Sequence, residues 1–266
     1  TVYNVDGELL WQAGNPDTDF KEPDCELPIQ IYDIDKDGKN EVIAVMNGSL
    51  LILDGKNAEI KKQIPLPDPN IGGTLLIADL EGTGYAQNII LKNKYSKLWA
   101  LDVNLNTLWT FEGNVGLAPV SYDINGDGKE EVLYLEALGS NDNGNGWDDW
   151  GHINSNFRVR VNDWYYESQG TNVEPVLMAF SPDGEQILLA VYDDGPSGDP
   201  LTSFYRYDDT GLYTAGEIYA DLRSASIDED GVLKCTLRVD MIQTEWVYAY
   251  YEWNGSEIVL REDDFY

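Results

Sequence analysis

The chain is poor in the residues that most enzymes use for chemistry. Among 266 residues there are one histidine, two cysteines, three methionines, and 17 lysines and arginines against 48 aspartates and glutamates. A lone histidine, His152, cannot by itself build a histidine-based zinc site, and in a polar loop it reads as a hydrogen-bonded surface residue. No glycine-rich phosphate loop with its lysine, no His-Glu-x-x-His and no Gly-x-Ser-x-Gly occurs, which removes common routes to nucleotide binding, zinc hydrolysis and serine hydrolysis. The scarcity of positive charge leaves a net −31. Such a surface repels nucleic acid and anionic membranes and concentrates cations, a balance suited to an extracellular or salty setting. No run of 18 apolar residues exists, so no membrane insertion is expected. Cys25 and Cys235 lie near opposite ends of the chain. They fit either a long-range disulfide or a loop thiol and a buried strand thiol. Helix-like periodicity is missing as well, while 25 glycines and abundant aromatics (8 Trp, 17 Tyr, 6 Phe) separate short apolar runs. That pattern is all-β with many turns.

What is present is a nine-residue loop that occurs twice, Asp33-Ile-Asp-Lys-Asp-Gly-Lys-Asn-Glu41 and Asp123-Ile-Asn-Gly-Asp-Gly-Lys-Glu-Glu131. Each follows a tyrosine, Tyr32 or Tyr122, and precedes an apolar run, Val42–Val45 or Val132–Leu135. Oxygen-bearing side chains stand at positions one, three, five and nine, glycine at six, and position seven offers its carbonyl. Ca²⁺ requires several oxygens at about 2.3–2.6 Å on a tightly curled loop, which this spacing supplies. An acidic hairpin turn is the plain alternative, since Asp-Gly is a common turn dipeptide. The shared spacing, tyrosine and trailing strand favour the metal loop.

The two loops belong to a longer repeat. A degenerate copy, Asp79-Leu-Glu-Gly-Thr-Gly-Tyr-Ala-Gln87, lies midway, and Ser181-Pro-Asp-Gly184 and Asp228-Glu-Asp-Gly231 continue the series. Corresponding positions 37, 83, 127, 183 and 230 recur about every 45 residues, with one longer step over an insertion around Asn141–Trp150. Short β runs at that period predict β-propeller blades of four strands each. The second unit divides into Thr74–Ala78, Asn88–Lys92, Lys97–Asp102 and Thr107–Phe111, and the fifth into Leu222–Ile227, Val232–Val239, Trp246–Trp253 and Glu257–Leu260. Thr1–Val5 and Glu8–Gln12 resemble a third and fourth strand. The expectation is therefore a single propeller domain over 1–266 of about five blades: a half-blade hairpin within 1–20, repeat blades over 28–156 and two further blades over 157–266. The half-blade either closes the ring with C-terminal strands or marks a trimmed chain.

The segment Tyr-Asp-Ile-Asp-Lys-Asp-Gly-Lys-Asn-Glu-Val-Ile and its second copy resemble the FG-GAP/VCBS repeats of extracellular β-propellers, found in integrin α-subunits and many bacterial surface proteins. The resemblance implies two Ca²⁺ sites, one held by Asp33, Asp35, Asp37, Glu41 and the carbonyl of Lys39, the other by Asp123, Asn125, Asp127, Glu131 and the carbonyl of Lys129. The copy at Asp79–Gln87 has lost too many carboxylates to be expected to hold metal. A narrower resemblance, over Gly82–Asp102 within residues 1–152, is to a blade of the rhamnogalacturonan lyase propellers.

Two function classes follow. The preferred one is a secreted or cell-surface, calcium-stabilised, monomeric binding module, not an enzyme, for a polysaccharide or surface-protein partner. Its candidate contact is the insertion Gly139–His152, in which Trp147, Asp148, Trp150 and His152 combine aromatic faces with polar groups; a longer turn whose tryptophans cap a blade is the equal alternative. The other class, implied by the lyase resemblance, is a polysaccharide lyase or a degenerate relative. Lys92 or Lys94 would then be a candidate base, though solvated lysines on a blade are the plainer reading.

Overall fold

The computed structural model describes the chain except residues 15–28, 95, 117, 140–145, 148–151, 171–172, 181–186, 196–199, 221, 223–224, 241–244 and 264–266. Among the described residues the fold is all-β: five four-stranded antiparallel sheets and one two-stranded hairpin. In every four-stranded sheet, neighbours in space are neighbours in sequence, the meander that the 45-residue period predicts. The chain divides into two compact units, Thr1–Pro119 and Val120–Tyr266.

In the first unit the hairpin β1 (Val2–Tyr3) and β2 (Leu9–Trp11) precedes two sheets. The first sheet runs β3 (Ile29–Tyr32), β4 (Glu41–Met46), β5 (Ser49–Asp54), β6 (Ile60–Pro65). The second runs β7 (Ile71–Ala78), β8 (Asn88–Asn93), β9 (Lys97–Leu101), β10 (Thr107–Glu112). In each, the second and third strands are the deeply placed ones and the first and fourth lie nearer solvent. Every residue of β8 is buried, with Ile89, Ile90 and Leu91 wholly inaccessible. Each such aliphatic side chain contributes about 1.5–3 kcal/mol by leaving water. Outer strands alternate: β10 exposes Thr107, Leu108, Thr110 and Glu112 and half-buries Trp109 and Phe111. Ile34, Ile43, Ile52, Leu75, Leu91, Trp99 and Leu101 belong to one core that joins the two sheets. The leader hairpin is tied down by Trp11, whose indole N–H donates to the Gly55 carbonyl at 2.9 Å.

The second unit holds three sheets. They are β11 (Val120–Tyr122), β12 (Glu131–Ala137), β13 (Asn156–Val161), β14 (Trp164–Gln169); β15 (Val173–Phe180), β16 (Leu188–Asp193), β17 (Leu201–Asp208), β18 (Gly211–Ile218); and β19 (Ser226–Ile227), β20 (Leu233–Asp240), β21 (Glu245–Trp253), β22 (Ile258–Asp263). Of the strand expected over Leu222–Ile227, the described residues form strand only at Ser226–Ile227, since the Ala225 N–H closes a turn onto the Leu222 carbonyl at 3.0 Å. Glu136 and Arg160 form a buried ion pair across β12 and β13 at 2.6 Å. Cys235 is a free, buried thiol; burial pushes its pKa up to about 12, so at neutral pH it is an inert packing residue. Cys25 lies outside the described residues.

Candidate metal centre

The loops at Asp33, Asp79 and Asp123 each join the first strand of a sheet to the second, and the three have nearly the same backbone. Position four has a positive φ in all three, at Lys36 (61°), Gly82 (69°) and Gly126 (75°), and so does position six, at Gly38 (84°), Gly84 (74°) and Gly128 (89°). Those left-handed turns explain the glycines: at position six a side chain would be strained whatever the surrounding space. The amide after position one is held by the residue that opens the second strand. Ile34 N–H donates to Glu41 Oε2 at 3.2 Å, Ile124 N–H to Glu131 Oε2 at 3.1 Å, and Leu80 N–H to Asn88 Oδ1 at 2.9 Å. Position one collects the far side of the curl: Gly38 N–H reaches Asp33 Oδ2 and Gly128 N–H reaches Asp123 Oδ2, both at 3.0 Å. The same fold of chain thus turns carboxylates inward three times. What differs is how their charge is met.

In the first loop the carboxylates of Asp33, Asp35 and Asp37 offer oxygens that all lie within 4.8 Å of one another, a cluster that could hold a metal ion. Lys61 of β6 reaches this cluster. Its ammonium donates to Glu41 Oε1 at 2.6 Å and to Asp35 Oδ2 at 2.9 Å, and stands 3.4 Å from Asp37 Oδ2. The Glu41 carboxylate, then that of Asp35, holds the lysine protonated well above its usual range. Burial alone would raise the Asp37 pKa, but the Lys39 amide and the Lys61 ammonium leave it lowered.

The degenerate loop meets its charge without a cation. Asp79 accepts from the Thr83 amide at 2.9 Å, the Thr83 hydroxyl at 3.2 Å and the Tyr85 amide at 2.9 Å. Burial works against ionisation there, yet these amides hold the carboxyl below its usual range. The neutral Asn88 stands where the other loops have glutamate. This loop also braces the first: Tyr85 donates its hydroxyl to the Asp33 carbonyl and Gln87 its amide to the Ile34 carbonyl.

The loop at Asp123–Glu131 is left open. Asp123 Oδ1 is a buried oxygen with no hydrogen-bond partner. Glu131 is 4 % exposed, and burial, together with the charges of Asp127 and Asp123 and against the Ile124 amide, raises its pKa to about 7. Among the described residues no lysine or arginine forms an ion pair with Asp123, Asp127 or Glu131. Instead Asn125 donates its side-chain amide to Asp209 Oδ1 at 3.1 Å, which brings one more carboxylate to the loop from the β17–β18 turn. An orphaned inward oxygen among hard oxygen donors fits a cation such as Ca²⁺.

The other predicted residues separate. Trp147 is 3 % exposed and bridged to Ile153, and it packs with Phe157 and Val173 in the core of the second unit, so its ring caps the sheet and has no face free for a ligand. Asp148 and Trp150 lie outside the described residues, and His152 is half-buried. Lys92 is buried in β8 with its ammonium on the Lys94 carbonyl at 2.9 Å, a structural position with no access for a substrate. Lys61 and Asp209 were not singled out in the sequence, since neither belongs to a loop motif.

The chain matches no family model and no curated protein sequence. Among solved structures it is similar to the V. cholerae biofilm matrix protein Bap1, with 16 % identity and a TM-score of 0.45 over 88 % of this chain and 40 % of that one. It is also similar to the Bacillus licheniformis rhamnogalacturonan lyase PL11, with 15 % identity and a TM-score of 0.44 over 84 % of this chain and 56 % of that one. The chain spans about half the length of these proteins or less. The likeness is one of β-rich chains. No helix among the described residues is long and apolar enough to cross a membrane.

Proposed function

We propose that this chain is a calcium-stabilised β-propeller of the FG-GAP/VCBS kind, working outside the cell as a binding module for a glycan or protein partner. Five consecutive four-stranded meanders at the expected period support the propeller reading. The single observation that carries the calcium reading is Asp123 Oδ1, buried and unpartnered at position one of a loop whose other donors are Asn125, Asp127, the Lys129 carbonyl and Glu131. Burying an unpaired carboxylate oxygen costs free energy that a bound divalent cation would offset. The ion's role is structural: it would neutralise the acids of this loop and lock the curl between β11 and β12.

Cation binding that favours the folded chain adds about 2.7 kcal/mol at a concentration 100-fold above Kd. Melting in millimolar Ca²⁺ should therefore occur some ~5–10 °C above melting in chelator. An unchanged midpoint would remove the calcium reading. For the partner, one candidate surface is the pair of exposed neighbouring rings Trp164 and Tyr165 on β14, with the Arg158 guanidinium 4.4 Å over the Tyr165 ring. Aromatic faces of this kind stack on sugars. Binding to an immobilised uronate and neutral polysaccharide panel should weaken at least about tenfold in Trp164→Ala, the loss of roughly one stacking contact; binding unaffected by the change would sink the glycan half.

A further inference from the structure

The first and third loops share backbone, spacing and the glutamate at position nine, yet their surroundings have opposite sign. We propose that Lys61 is a built-in cation that closes the first loop, so that divalent-ion binding is confined to the loop at Asp123–Glu131, to which Asp209 adds a further carboxylate. The inference rests on the calcium reading above and divides its two sites into one that is self-neutralised and one that needs an ion.

The position of Lys61 comes from a local irregularity of the sheet. Leu53 of β5 pairs with Ile60, and Ile52 pairs with Lys62, which leaves Lys61 as the extra residue of a β-bulge. A bulge re-aims one side chain out of the regular alternation, and here the ammonium lands on Asp35, Asp37 and Glu41 together. The corresponding pairing in the third sheet is regular: Val161 faces Trp164 and Arg160 faces Tyr165, with no extra residue. No ammonium is delivered there. The nearest recruited group is the carboxylate of Asp209, held by Asn125. Position one shows the consequence. In the first loop Asp33 Oδ1 accepts the Asp37 amide at 3.0 Å, whereas the matching Asp123 Oδ1 has no donor. A Ca²⁺ ion entering the first loop must expel an ammonium already shared among three carboxylates. At the third loop it meets only oxygen donors.

Ions bound per chain can be counted on the full chain by native mass spectrometry and equilibrium dialysis with Ca²⁺ as the only probe. We expect one ion on the wild type, lost in Asp123→Asn and kept in Asp33→Asn. Lys61→Met should raise the count to two, and Asp209→Asn should weaken the single site at least threefold. Lys61→Gln, which keeps a neutral hydrogen-bond donor, provides the same reading should the methionine variant not fold. No ion on the wild type would overturn the calcium reading and this inference with it. Two ions on the wild type, one ion that survives Asp123→Asn, or a count of one in a folded Lys61 variant would each overturn the inference and leave the calcium reading standing.

Discussion

The loops at Asp33–Glu41 and Asp123–Glu131 show that a repeated motif can keep its backbone while changing its source of positive charge. In both, the glutamate that opens the second strand is buried and accepts the same backbone amide. In the first, that glutamate also faces a lysine at 2.6 Å. In the other, its carboxyl is pushed up to about 7 by burial. Converging carboxylates need a counter-charge or a set of donors, and the motif itself does not specify which. The middle loop makes the point a third way, with amides, a hydroxyl and an asparagine in place of charge.

The largest test of this difference is one substitution made at both glutamates. Glu41→Gln keeps an acceptor for Ile34 but takes a charged partner from Lys61, which is a quarter exposed and retains Asp35. A loss of about 1–2 kcal/mol is expected, with or without calcium. Glu131→Gln should do the reverse in chelator and stabilise by about 1–2 kcal/mol, because it removes a buried, uncompensated charge. In calcium it should destabilise, through loss of a ligand. The wild type carries a matching pH signature. A carboxyl whose folded pKa lies above its unfolded value contributes stability that is fully present below the unfolded pKa and is lost as pH rises through the folded one. In chelator, stability from this group should therefore fall between pH 4.5 and about 7, and Glu131→Gln should abolish the fall. Denaturant titrations of both variants, in calcium and in chelator, give all four signs; equal signs at the two glutamates in chelator would break the comparison.

Much of this was legible in the residues, for a physical reason. Asp-Gly at fixed spacing followed by an apolar run fixes a local curl and a buried second strand, so the period marked every sheet, and β8, β9 and β10 fell close to their expected limits. What decides the charge of each loop is not local. Lys61 arrives from 20 residues beyond Glu41 because of a bulge, and Asp209 from 84 residues beyond Asn125 because two hairpin ends meet. Neither has a signature in the chain. Trp147 failed as a surface contact for the same reason: a Gly/Asn-rich flank reads as exposed, and only the bridges Trp147–Ile153 and Ile153–Val173 bring it inside.

The smallest effect is expected at the middle loop, where the comparison can be sharpened. Thr83 occupies the place of the third aspartate, and its one hydroxyl proton is shared between Asp79 Oδ1 at 3.2 Å and the Tyr85 carbonyl at 2.9 Å. Thr83→Val removes that shared bond without changing side-chain shape, while the Thr83 and Tyr85 amides continue to hold Asp79. The cost should be about 1 kcal/mol, the net worth of one hydrogen bond. It should be identical in calcium and in chelator, since nothing in this loop depends on an added ion. A cost that appears only in chelator would mean that the middle loop also takes a cation, and the three-way division of charge among the loops would then collapse into one common metal motif.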